Sequence, residues 1–429
     1  MQKRKSSGFW EWISGLRISS RWKAKMKLKL LILLIFLINL ALPSGFAQNE
    51  GIITITPQSY SKVIIRIPPL EGDSGDNAGE LLRNLLNYHL FCLALKEPPL
   101  TGFKNKEFYL KGKITSSERF FNFSGELWDV YENKPLKKYS AEGSSLERLI
   151  YAIADQIIQD ISPYRGVSET RFAFVKRTST GDNLYIMDFS KRNLRKIRSS
   201  DLILFPKFSG SGKQLAYIVY EREHYFLEIY SLITRERKKL EVKGLSSAPL
   251  WLPDEKSLIL TLGKNDEINI YQFFLETQKL IPLTSGKGVH QAGSLSSNGK
   301  YLAYVADTSG KPQVYLLNLE TLKPQRISFE GKHNTAPRIS PKGNLLLYVS
   351  SSGGDRTLVL YNLKTGEKKS LSIPYTLTDP SFSPSGDFLI FKGKGKKGGG
   401  IYLMHLDSLL IYPYLPFENL YYPDWGKLF

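Results

Sequence analysis

A six-bladed β-propeller preceded by a small α/β domain is the fold the sequence predicts. Three observations predict it: a unit that recurs about every 43 residues from position 200 onward, a tyrosine-marked strand inside each unit, and a preceding stretch with helical patterning and no such period. The composition agrees, because aromatics make up 12% of the chain and include 24 Tyr and 23 Phe, residues of strand-forming type.

The repeat is anchored by Pro206, Pro249, Gly293, Pro337, Pro380 and Pro423, which stand 43, 44, 44, 43 and 43 residues apart. Six residues after each of the first five comes a turn position: Gly212, Glu255, Gly299, Gly343 and Gly386. Residues 337–344 and 380–387 give the clearest copies, in which a short inner strand ends in Ser-Pro-x-Gly and an apolar strand returns. Proline presets φ at such a turn, and glycine accepts φ > 0. A third strand carries Tyr185, Tyr230, Tyr271, Tyr315, Tyr361 or Tyr402, and a more polar fourth strand ends each unit. Four antiparallel strands make a propeller blade; the tight reversals argue against an open β-solenoid.

Residues 171–175 and 183–188 supply a first blade that lacks an inner strand, whereas residues 422–425 supply an inner strand without a return partner. The expectation is that the C-terminal strand completes blade one and removes two open edges. Pro163 also falls on the 43-residue grid, which leaves an N-terminal inner strand as a second placement.

Ahead of the propeller, residues 48–165 read as the α/β domain and 166–429 as the propeller. Residues 63–67 form a β-branched strand, and leucines then recur at helical spacing up to Leu95, placing Cys92 inside that helical pattern. Residues 108–114 and 121–130 read as a hairpin. Ser144-Ser145-Leu146-Glu147 has capping-box spacing and opens a second helix that stops at Ser162-Pro163.

The first 47 residues read as a cleaved secretory signal. Residues 30–42 are apolar except Asn39, follow a Lys/Arg run and precede a Gly45-x-Ala47 site, with Met26 as an alternative start; an uncleaved anchor is the competing reading. Without that segment, 50 Lys and Arg face 39 Asp and Glu, a formal +11 scattered over many strands. The only cysteine excludes an intrachain disulfide.

No catalytic pattern emerges. There is no G-x-S-x-G elbow, and Ser209-Gly210-Ser211-Gly212-Lys213 fails the phosphate-loop spacing and reads as a blade turn. The five histidines lack neighbours at metal-ligand spacing, and Asp73, Asp76 and Glu80 read as a helix-entry loop. The expectation is a protein without cofactor, metal or nucleic-acid partner, acting as a binding module; a propeller hydrolase or lyase is the alternative class.

Residues 310–315 (Gly-Lys-Pro-Gln-Val-Tyr), 325–331 (Gln-Arg-Ile-Ser-Phe-Glu-Gly), 110–114, 126–130, and the junction from 153–157 to 171–175 resemble the TolB proteins of the periplasmic Tol-Pal system, with WD40-like repeats. The resemblance covers the chain beyond the signal. Gly293 stands where that family has proline, and Leu245-Ser246-Ser247 replaces a His-containing mouth segment. The resemblance implies a periplasmic, monomeric, non-enzymatic scaffold for envelope integrity and cell division. It implies that a Pal-like peptidoglycan-associated lipoprotein binds at the propeller mouth through Ser246, Ser247, Ala248, Gln291, Ala292, Asn334, Thr335, Ala336, Thr378 and Asp379. It also implies that a TolA-like inner-membrane protein binds Asn49, Glu50, Gly51, Ile52, Ile53, Thr54 and Ile55. A TolB-like paralogue with another envelope ligand, such as an acidic polymer, is the remaining alternative.

Overall fold

The computed structural model describes residues 53–54, 62–98, 107–264, 266–352, 355–395 and 398–428. The expected signal, residues 49–52 and Ile55 lie outside the described residues. The first described strand, β1 (Ile53–Thr54), precedes a five-stranded sheet of β2 (Val63–Arg66), β3 (Cys92–Leu95), β4 (Glu107–Ser116), β5 (Phe121–Asp129) and β6 (Lys134–Gly143). The sheet order is β3-β2-β4-β5-β6, parallel across its first three strands and antiparallel across its last three.

Two amphipathic helices, α1 (Asn77–Tyr88) and α2 (Leu146–Ile161), cover this sheet, burying Leu81, Leu82, Leu85 and Leu86 against Ile150, Ile153 and Ile157. Asp73 starts α1 by accepting the backbone N–H groups of Ala78 and Gly79 at 2.8 and 2.9 Å, as expected of a helix-entry carboxylate. The helix is shorter than the leucine periodicity predicts. Leu90 adopts φ 64° just after it, and Cys92 lies buried on β3 rather than in the helix. Apolar spacing alone cannot separate a buried strand from a continuing helix, and the left-handed turn ends the pattern here. Ser145, not Ser144, caps α2 by accepting from the Arg148 N–H at 3.4 Å. The predicted hairpin gains a third strand, β6, whose mostly exposed residues carry little apolar alternation.

Blade one comprises β7 (Thr170–Thr178), β8 (Gly181–Asp188) and β9 (Arg195–Ser200), with the chain's last strand, β30 (Leu420–Lys427), in the inner position. Blades two to six follow as β10–β13 (residues 202–241), β14–β17 (250–282), β18–β21 (290–326), β22–β25 (333–372) and β26–β29 (376–415). The C-terminal strand therefore closes the ring. Pro163 lies just past α2, outside any strand. Every predicted turn position takes positive φ, from 52° at Glu255 to 77° at Gly386. Blade five has a fifth strand, because β1 pairs in parallel with β25 (Lys368–Ser372), Ile53 beside Leu371.

The α/β region packs on the end of blades one and six where inner strands turn back. Tyr88 meets Phe189 and Tyr414 edge-on, and Lys191 sits 4.6 Å from the Tyr88 ring. At the centre of this junction are two buried histidines. His89 donates from Nδ1 to the Leu85 carbonyl and accepts the Val167 N–H at Nε2, 3.1 Å away, so its partners hold it neutral. His405 is enclosed by Phe91, Tyr164 and Phe388, with its Nδ1 against Ser408.

Two predictions follow from this packing. Trp425 on β30 stacks on Phe189 and donates to Thr170 Oγ1 at 2.8 Å. Trp425→Ala should destabilise the protein by about 3–5 kcal/mol, and deletion of residues 421–429 should cost more by opening the ring. An unchanged melting temperature in the truncation would contradict closure by β30.

Burial pushes both His89 and His405 down to about 4. Each holds fewer protons folded than unfolded between that value and the ordinary 6.5, so stability is full above this window and falls as pH drops through it. Asp155, pushed up to about 6 by burial, acts in the opposite direction but contributes less than the two imidazoles. The net loss from neutrality to about pH 5 should be about 2 kcal/mol in denaturant unfolding, and His405→Phe should remove most of it.

Candidate functional site

The inner strands carry one recurring irregularity. Phe205, Ala336, Asp379 and Tyr422, each just before a repeat proline, adopt φ between 51° and 53°. In the same four blades the ladder slips between Leu204 and Lys207, Thr335 and Arg338, Thr378 and Ser381, and Tyr421 and Asp424. Proline has no N–H to give the ladder, and a bulge is where a strand tolerates it. In blade four, Gly293 occupies the slip between Ala292 and Ser294.

The residues just past these bulges join neighbouring blades around the axis. Arg338 on blade five donates to the Gly293 carbonyl of blade four at 2.8 Å and to the Pro380 carbonyl of blade six at 2.7 Å. Ser381 on blade six donates to Asp424 of blade one at 3.2 Å, and Asp424 binds Lys207 Nζ of blade two at 2.5 Å. Trp251 of blade three donates to the Lys207 carbonyl at 3.0 Å, and the Ala292 N–H of blade four reaches Thr261 Oγ1 of blade three at 3.1 Å. Every adjacent pair of blades is thus tied.

At the end where each outer strand hands over to the next inner strand lies the mouth. Burial raises the Asp379 carboxyl there, with Arg338, Lys207 and Lys392 opposing the rise. Burial also brings Lys392 down to about 8, with its Nζ 3.0 Å from the centre of the Tyr421 ring. Two buried polar atoms on this side, Ser247 Oγ and Asn334 Oδ1, have no hydrogen-bond partner among the described residues.

Of the mouth positions read from sequence, Thr335, Ala336, Thr378, Asp379, Gln291 and Ala292 lie within the inner strands β22 (His333–Ile339), β26 (Thr376–Phe382) and β18 (His290–Leu295). Asn334 is fully buried; its Nδ2 donates to Gln313 Oε1 at 2.9 Å and to the Glu330 carbonyl at 2.6 Å. Ala292 is buried, Thr335 is exposed, and Ala248, Gln291, Ala336, Thr378 and Asp379 are partly buried. Ser246 donates to the Thr261 carbonyl at 3.1 Å. Of the N-terminal segment, only the backbone of Ile53 and Thr54 is described, at the outer edge of blade five. Sequence reading missed Lys207, Arg338 and Asp424. Their signal was a charge immediately after the repeat proline, in an otherwise apolar strand.

No group of three or more His, Cys, Asp or Glu side chains suited to a metal occurs among the described residues. Arg338→Leu should destabilise the protein by about 3 kcal/mol in denaturant unfolding, because three blades lose a common donor and the buried Asp379 loses the attraction of a counter-charge.

Comparison with known proteins gives a consistent result. A family model described as the TolB beta propeller domain matches residues 158–427. The Tol-Pal system protein TolB of Ruthia magnifica subsp. Calyptogena magnifica is 30% identical over 224 residues, covering 49% of this chain and 52% of that protein. That of Vesicomyosocius okutanii subsp. Calyptogena okutanii is 28% identical over 267 residues, 57% of this chain and 63% of that protein. The matched region thus spans less than two thirds of these curated relatives. In structure, TolB from Acinetobacter baumannii superposes with a TM-score of 0.76 at 23% identity, over 85% of this chain and 97% of that one, and shows the shared fold.

Proposed function

This chain belongs to the TolB beta propeller domain family, and from that premise we propose that it is a non-catalytic protein-binding scaffold of a Tol-Pal-type cell envelope system. The proposed organisation is an export signal in residues 1–47, an α/β domain over 48–165 and a propeller over 166–429, working in the periplasm. A Pal-like lipoprotein occupies the mouth, and a TolA-like protein takes the N-terminal segment from Asn49 to Ile55, in support of envelope integrity and division.

The observation that carries the mouth reading is the buried charge beside the bulges, where burial raises the Asp379 carboxyl and brings Lys392, over the Tyr421 ring, down to about 8. Buried charge is costly, and an inserted polypeptide offers N–H and C=O groups that hydrogen-bond it. The strained bulges beside Ala336, Asp379 and Tyr422 support the same reading, since such strain persists where the surrounding structure overdetermines it. Ligand specificity then comes from polar matching around Asp379 and Lys392, with a few packed anchors carrying most of the energy.

The test uses purified protein and the soluble domain of a Pal-like lipoprotein in titration calorimetry. Thr335→Trp and Gln291→Trp, at exposed and partly buried mouth positions, should each weaken binding about tenfold or more without lowering the melting temperature. Deleting residues 48–54 should leave that binding intact and abolish binding to a TolA-like domain. Wild-type affinity in both tryptophan variants would show the mouth assignment to be wrong.

A further inference from the structure

At the other end of blade one, away from the mouth, a cavity of about 300 Å³ opens between the start of α2 and the ends of β7, β8 and β9. Three arginines converge on it: Arg148 from α2, Arg171 from β7 and Arg195 from β9. Two carboxylates, Glu147 and Asp188, also line it. Both are already engaged by donors. Glu147 accepts from Arg192 Nη1 at 3.2 Å and from Asn193 Nδ2 at 3.0 Å, and Asp188 accepts from Asn193 Nδ2 at 2.7 Å. The Arg148 and Arg195 side chains make no hydrogen bond or ion pair with any described residue.

Four arginines, Arg192 included, therefore surround two carboxylates. We propose that this cavity is a binding site for a small oxyanion, a phosphate or carboxylate group, held between the α/β region and blade one by Arg148, Arg171 and Arg195. The arrangement of charge supports it. Arg171 is 7% exposed, and burial together with repulsion from Arg148 and Arg195 brings its guanidinium down to about 10, against the attraction of Asp188. An anion seated among the three would relieve that repulsion and present oxygens to guanidinium forks, the geometry in which arginine binds phosphate and carboxylate most strongly. The cavity's volume lies at the lower limit of ligand pockets, which suits a compact anion rather than a polypeptide or sugar chain. Its position makes such a ligand a tie between the two parts of the molecule, because Arg148 belongs to one and Arg171 and Arg195 to the other.

The test is equilibrium binding of inorganic phosphate and, separately, of acetate, each against chloride at equal ionic strength, on the wild-type protein and on Arg148→Gln with Arg195→Gln. Neither replaced side chain bonds to a described residue, so the variant should keep the wild-type far-ultraviolet circular dichroism and melting temperature in chloride. One site per chain is expected, saturable by phosphate if the natural group is a phosphate and by acetate alone if it is a carboxylate. The variant should bind about tenfold more weakly or worse. Failure of both anions to bind the wild type, or equal binding by the variant, would overturn the proposal. Neither result bears on the mouth, whose partner binding is measured separately.

Discussion

The rest of the structure depends on one constraint, the closure of the ring by β30. A chain that adds blades in sequence arrives with an unpaired edge at each end, and exposed edges invite pairing with other chains. Here the last strand crosses to the first blade and pairs with β7, while Trp425 fills the space between Phe172, Phe189 and Phe388. Asp424, one residue away, binds both Lys207 and Ser381 and so joins the first blade to the second and the sixth. Closing the sheet and closing the polar girdle are accomplished by neighbouring residues on the same strand.

That closure also separates the two ends of the propeller. At one end, the turns after the inner strands and the aromatic residues Phe189, Phe388 and Tyr414 receive the α/β region, with His89 and His405 sealed between them. At the other, bulges before the repeat prolines hold Phe205, Ala336, Asp379 and Tyr422 in left-handed conformation around the mouth. The bulges cost backbone energy, and the girdle immediately beneath them, centred on Arg338, supplies the rigidity that keeps them. A mouth supported in this way is pre-organised, which would limit the ordering cost of the proposed binding.

Much of this was legible in the chain. The 43-residue spacing, the turn positions from Gly212 to Gly386 and the orphan strand at Pro423 each depend on local geometry repeated six times, and repetition turns weak local signals into a strong one. The site was less legible. Asn334 precedes a repeat unit as Gln291 and Asp379 do, yet it is buried against Gln313, because its environment is set by the neighbouring blade and not by its own strand. Cys92 continues a helical leucine pattern in sequence but lies on a strand, where the parallel partner β2 supplies the decisive hydrogen bonds.

By itself, then, the sequence determined the blade: its four strands, its turn chemistry, the number of its copies and the need for a distant strand to finish the first. Such features follow from side-chain alternation, proline and glycine, which act within a few residues. Only the tertiary structure decided what meets across blades and domains: the Arg338 and Asp424 girdle, the neutral histidines beneath it, and the three arginines at the start of α2. These contacts join residues from about twenty to more than two hundred positions apart, and pairing at such distance is set by how the sheets stack around the axis.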